Sequence, residues 1–158
     1  MITINQIKCD DGIFIRYTKR SDDVFKSAEH TLKCYEKADP GFYEALAALN
    51  IHACKLCELP ESYLGRLSLS QVDFKYKNDG NETAILRVNM LLLESDIGDK
   101  IQLKTPEKLV SPFRTDQEGS HCKQYMSKAM EGDLEVVKNE AIFYIRGKRA
   151  QMSLLETA

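Results

Sequence analysis

Residues 50–61, NIHACKLCELPE, hold His52, Cys54 and Cys57 in a His-x-Cys-x-x-Cys spacing. These residue types ligate zinc or, as a dithiol, exchange electrons. On a helix, adjacent residues turn by about 100°, so His52 and Cys54 stand about 200° apart and cannot face one ion. Cys54 and Cys57 are separated by only about 60° and share a face, half of a tetrahedral zinc site. The remaining ligands would have to come from His30 and Cys34, spaced i, i+4, or from the adjacent His121 and Cys122. A dithiol mechanism favours a helix N-terminus, where the dipole supports a thiolate, whereas this pair falls in the last turns of its helix. A structural reading needs no ligand: Cys57 flanks the apolar stripe as a small buried hydrophobe and Cys54 lies at its margin. We therefore expect no cofactor, with zinc at Cys54 and Cys57 kept as the alternative.

Other chemistry is sparse. The sequence has no phosphate-cradling glycine loop, no Gly-x-Ser-x-Gly elbow and no His-Glu-x-x-His pair. Without a catalytic motif, the expectation is a protein that binds rather than turns over. Two basic clusters stand out, RYTKR and RGKR. Arg16, Tyr17, Lys19 and Arg20 close the first hairpin, and Arg146, Lys148 and Arg149 follow the last helix. If both end at one edge of the fold, the cations and the aromatics Tyr17 and Tyr144 make a surface that tracks phosphates and stacks bases. The alternative is that RGKR is a helix C-cap and RYTKR a solvated strand end.

The elements that would position these residues follow from periodicity. Ile2, Ile4 and Ile7, a turn at Asp10-Asp11-Gly12, and Ile13, Ile15 and Tyr17 in alternation predict a hairpin. The stretch from Ser21 to Pro40 reads equally as a short helix or an extension of the sheet. Phe42, Leu46, Leu49, Ala53 and Leu56 recur at spacings of four, three, four and three, which predicts one helix from Phe42 to Glu58. Asp39-Pro40-Gly41 supplies its start and Leu59-Pro60 its end. A second hairpin follows around NDGN, with Ala84, Leu86, Val88, Met90 and Leu92 on one face. In its first strand Leu67 and Leu69 are out of phase with Val72, Phe74 and Tyr76, so a bulge is expected near Ser70-Gln71. Residues 94–120 read as a long loop that includes a short strand at Ile101–Leu103. A helix from about Ser120 to Ile145, with Gly132 as a candidate interruption, closes the chain.

These elements predict an α+β fold: two β-hairpins forming a mainly antiparallel sheet, with two principal helices packed on one face. The 158 residues fit a single domain, of which 94–120 is one long loop. Hydrophobic residues at 43% and charged residues at 29% are ordinary for a folded chain. A formal charge of −2 removes the global basic footprint of most nucleic-acid binders but leaves room for a local patch. Five cysteines, an odd and scattered set, argue for reduced thiols. With no apolar run long enough to cross a bilayer and no secretory start, a cytoplasmic location and no membrane partner are expected.

Three phrases, DPGFYEALAALNIHACKLCELPESY, VDFKYKNDGNETAILRVNMLLLES and EAIFYIRGKRAQ, together cover about half of the chain. In this combination the sequence resembles a family of small uncharacterised proteins encoded by bacteriophages and prophages of gut bacteria. The resemblance implies a phage origin and the cytoplasm of an infected bacterial host as the setting. It implies no activity and transfers no functional residue, and the CKLC pair departs from the family's pattern. The leading expectation is a non-catalytic binding protein of counter-defence type that occupies a host protein or sequesters a nucleotide signal. The alternative is an accessory single-stranded nucleic-acid-binding protein of phage DNA replication or recombination. A homo-oligomer is a further expectation, formed through an exposed edge of the second hairpin.

Overall fold

The computed structural model of the chain describes residues 1–21, 26–77, 80–118 and 123–150. Strands β1 (Ile2–Cys9), β2 (Ile13–Arg20) and β3 (Ser27–Cys34) form an antiparallel meander. Helices α1 (Pro40–Ala47) and α2 (Asn50–Leu56), then a 3₁₀ segment at Glu61–Arg66, carry the chain across one face to the other side of β1. There β4 (Leu67–Tyr76) pairs with β1 and with β5 (Glu82–Leu91). Strands β6 (Lys100–Lys104) and β7 (Lys108–Leu109) both pair with the outer edge of β5, and α3 (Lys128–Ile145) ends the described fold. The sheet runs β3-β2-β1-β4-β5-β6, every pairing between named strands antiparallel. The fold is α+β, with its helices on one face of the sheet.

The ambiguous stretch after Ser21 resolves as sheet, because Ser27–Cys34 pairs residue for residue with β2. The expected bulge is present, with the β4–β5 register shifting between Leu69 and Gln71 so that Leu67, Val72 and Phe74 all reach the core. A second bulge at Asn5 does the same for Ile4 and Ile7. The short strand expected at Ile101–Leu103 is β6, and β7 also falls within the long loop. Between them the Thr105 amide donates to the Leu86 carbonyl, and its hydroxyl accepts from the Leu86 amide, so β5 stays covered along its length. Both strands of the second hairpin therefore lie inside the sheet, and the edge expected to recruit a second copy is closed. β3 forms one edge of the sheet, β6 and β7 the other.

The single helix expected from Phe42 to Glu58 is divided: the Leu49 amide bonds the Leu46 carbonyl, a tighter i to i−3 turn between α1 and α2. The apolar stripe survives, with Phe42, Leu46, Leu49 and Ala53 buried. The Asp39 carboxylate accepts from the Gly41 amide at 3.1 Å and Pro40 occupies the first turn, as start signals require. The last helix is shorter than its periodicity suggested, because Ser127 caps it by accepting from the Met130 amide at 3.1 Å. It runs through Gly132 without a break and buries Leu134, Val137, Ala141 and Tyr144.

Both helix ends close with the same two bonds. After α2, the Leu59 amide reaches the Cys54 carbonyl and the Glu58 amide the Lys55 carbonyl, with Glu58 at φ 57°. After α3, the Lys148 amide reaches Phe143 and the Gly147 amide reaches Tyr144, with Gly147 at φ 107°. This is the Schellman arrangement, which needs a left-handed residue just past the helix. One helix supplies glycine there and the other a glutamate.

Candidate functional site

The His-Cys-Cys stretch is structural in its geometry. His52 is buried at 6% exposure, and its Nε2 lies 2.6 Å from the Asp133 carboxylate, tying α2 to α3. Cys54, expected at the margin, is the buried member of the pair, with its thiol directed at the carbonyls of Leu59 and Pro60. Cys57, expected to be buried, sits at the helix end and is half-buried; burial, then the neighbouring Cys54, pushes its thiol up. The Schellman turn accounts for the burial of Cys54, because it folds Leu59 and Pro60 over the thiol. His30 and Cys34 lie on β3, where four residues span about 13 Å, too far to share an ion. His121 and Cys122 fall outside the described residues. Among the described residues, no group of three or more His, Cys, Asp and Glu side chains is placed to hold a metal ion.

The two basic clusters end at opposite ends of β2. Cys34, which pairs with Ile13 at the start of β2, lies 4.0 Å from an Arg149 nitrogen, whereas Arg20 is at the far end, about 23 Å along the strand. The RGKR residues are also engaged. Arg149 stacks 3.6 Å from the Tyr144 ring centroid, donates to the Tyr144 carbonyl and pairs with Glu36, while Lys148 faces Asp39 and Glu140. Arg146 remains exposed at the helix cap. Tyr144 is buried and its hydroxyl donates to the Glu36 carbonyl, so it presents no ring face for a base. Alternation splits RYTKR: Tyr17 and Lys19 point to the helix side, where Tyr17 stacks on His30, and Arg16 and Arg20 point to the other.

That other face brings together residues scattered through the sequence. Its side chains alternate with the core positions, and among the described residues no helix packs on it. The strands place Lys8, Arg16, Arg20, Lys33, Lys75, Arg87, Lys100 and Lys104 there, against Glu29 and Asp73. Glu107, from the turn before β7, adds a carboxylate near Lys75 and Lys104. The nearby Thr83 hydroxyl, then Lys75, Lys77 and Lys104, hold it below the usual carboxylate range.

The pairing register aligns one row across the whole sheet. Lys33 opposes Phe14, Phe14 opposes Lys8, Lys8 opposes Gln71, Gln71 opposes Arg87, and Arg87 opposes Lys104. Beside it, Asp73 accepts from Gln6 at 2.6 Å and from Gln71 at 3.0 Å, with Arg87 Nε at 3.7 Å. These bonds fix the two glutamines and neutralise the face's central carboxylate. At the β1–β2 turn the row opens into a cleft of about 490 Å³ lined by Lys8, Asp10, Asp11, Phe14, Lys33 and Tyr35, with Gln6 and Gln71 in its floor. Gly12 makes the approach of Tyr35 possible: a Cβ there would fall 2.9 Å from both the Cys34 carbonyl oxygen and the Tyr35 ring. Tyr35 is 68% exposed and Lys33 lies 5.8 Å from its ring centroid.

Of the two basic clusters read from the sequence, only Arg16 and Arg20 lie on this face. Lys8, Phe14, Lys33, Gln71 and Arg87 had no signal in any short window, because each is one residue of an ordinary alternating strand. Among the described residues, no helix is long and apolar enough to cross a membrane. Comparison of the chain with protein-family models, curated proteins and solved structures finds no match.

Proposed function

We propose that the chain is a non-catalytic binding protein whose uncovered sheet face receives a phosphate-bearing nucleotide at the β1–β2 turn. The observation that carries this reading is Phe14 flanked in register by Lys8 and Lys33, with exposed Tyr35 at the wall of the same cleft. Aromatic faces stack on a base and ammonium groups hold phosphate, while Gln6 and Gln71 offer amides to a base edge. The cleft volume lies within the usual range of small-molecule sites, about 300–1,000 Å³. Asp10 and Asp11, at the rim, suit ribose hydroxyls and place a cost on phosphate at that end, which orients the ligand.

The reading as a binder rather than an enzyme rests on Asp73. It is the carboxylate nearest the centre of the face, and its oxygens are taken by Gln6, Gln71 and Arg87 instead of standing free to move a proton. Holding a nucleotide without converting it is sequestration, the mode of action that the expected counter-defence role would use.

The test is calorimetric titration of the protein with purine and pyrimidine mononucleotides. Saturable binding that falls at least tenfold in Lys8→Glu and Lys33→Glu is the expected result, both residues being exposed and outside the core. Absence of heat with every nucleotide, or affinity indifferent to both charge reversals, overturns the reading.

A further inference from the structure

The cleft occupies one end of a row that continues across two more strands, β5 and β6. We infer that this row is a track for single-stranded nucleic acid, with the strand lying perpendicular to the β-strands from Lys33 on β3 to Lys104 on β6. The inference rests on the reading of the open face as a phosphate-binding surface, and it names the ligand class.

The register carries it. Lys33, Phe14, Lys8, Gln71, Arg87 and Lys104 are directly opposed neighbours on one face. At about 4.8 Å between strands, the row spans about 24 Å. That length suits about four nucleotides, the low end of single-strand site sizes on small β folds. Its composition alternates what a strand alternates: cations for phosphates at Lys33, Lys8, Arg87 and Lys104, a ring for a base at Phe14, an amide for a base edge at Gln71. A second row, Ser68, Asn89 and Gln102, runs beside the first and adds amides without adding charge.

Three features decide between candidate polyanions. A duplex hides its base faces within its own stack, so Phe14 and Tyr35 would have no partner there, whereas a single strand exposes them. An acidic peptide satisfies the cations and leaves the rings and amides idle. The chain as a whole is slightly acidic, with a formal charge of −2, while this face carries a clear excess of cations. Its potential is therefore local and directs a polyanion to the face.

The experiment is fluorescence anisotropy with labelled oligothymidylates from one to about ten nucleotides, read at several salt concentrations. The expected result is affinity rising with length to about four nucleotides and then levelling. The logarithm of affinity should fall against the logarithm of salt with a slope of about −3, from four phosphate contacts on a single strand. Lys104→Glu, about 14 Å from Lys8 and outside the cleft, should weaken the oligonucleotide at least fivefold and leave mononucleotide affinity unchanged. Retained mononucleotide binding also shows that this variant is folded.

Mononucleotides binding as tightly as oligomers, or an oligomer affinity indifferent to Lys104→Glu, overturns the track and leaves the cleft standing. Binding of neither overturns both. Equal binding of poly-glutamate with the same salt slope overturns the track as a nucleic-acid site, because charge alone would then account for it.

Discussion

Cys34 and Cys9 show how position governs the chemistry of one residue type. Each sits on the core-facing side of the first meander, two strands apart across Ile13. Burial pushes the Cys9 thiol from its ordinary value up to about 11. Cys34 moves the other way, lowered first by the Tyr144 hydroxyl, then by the Glu36 backbone, with Arg149 adding to them. Because the thiolate is the nucleophile, iodoacetamide at about pH 8 should label Cys34 well before Cys9. Mass spectrometry of the modified peptides gives the order, and early labelling of Cys9 would contradict it. The sign for stability follows: the folded state keeps the Cys9 proton up to about 11, while the unfolded chain releases it near 9. The stability that Cys9 contributes is whole below pH 9 and is lost as pH rises towards 11, a loss that Cys9→Ala removes.

At the scale of the element, the two Schellman turns make a matched pair. Gly147 adopts its left-handed conformation at no steric cost, whereas Glu58 carries a Cβ there. Glu58→Gly should stabilise the protein by about 0.5–1 kcal/mol, after allowing for the extra entropy of glycine in the unfolded chain. Gly147→Ala should destabilise it by about 1–2 kcal/mol, since nothing crowds the position and the conformation alone is penalised. Urea denaturation of both variants measures the pair, and a loss on Glu58→Gly would refute the left-handed assignment at residue 58.

These helices were legible in the sequence because their stripes have a 3.6-residue period that needs no knowledge of the sheet. The turn between α1 and α2 was not, since Ala47-Ala48-Leu49-Asn50 contains no proline or glycine. β3 was illegible for a different reason. It is an edge strand with most of its side chains exposed, so it has no apolar alternation to reveal it.

For the molecule as a whole, strand order predicts a gradient of local stability. β1, β2, β4 and β5 are paired on both sides, whereas β3 is paired only with β2 and β6 only with β5. Amide hydrogen exchange should therefore be slowest in β1, β2, β4 and β5 and faster in the edge strands β3 and β6. Protection of β3 equal to that of β1 would show its free edge to be covered in solution. The same strand order builds the candidate site: the helical connection from β3 to β4 returns the chain beside β1, so that Lys8 and Gln71 become neighbours.

The sequence by itself determined the two hairpins, the bulge on β4, the apolar faces of the helices, the Asp39-Pro40 start of α1 and the α+β class. Each is a local property, carried by side chains a few positions apart. Only the tertiary structure decided which cations share a surface. RYTKR is contiguous in the chain, but a strand turns successive side chains to opposite faces, so the cluster divides. Lys8, Arg87 and Lys104 are far apart in the chain, yet register sets them in one row. Cross-strand register depends on bulges, turn lengths and the shared core, which no single window of sequence contains.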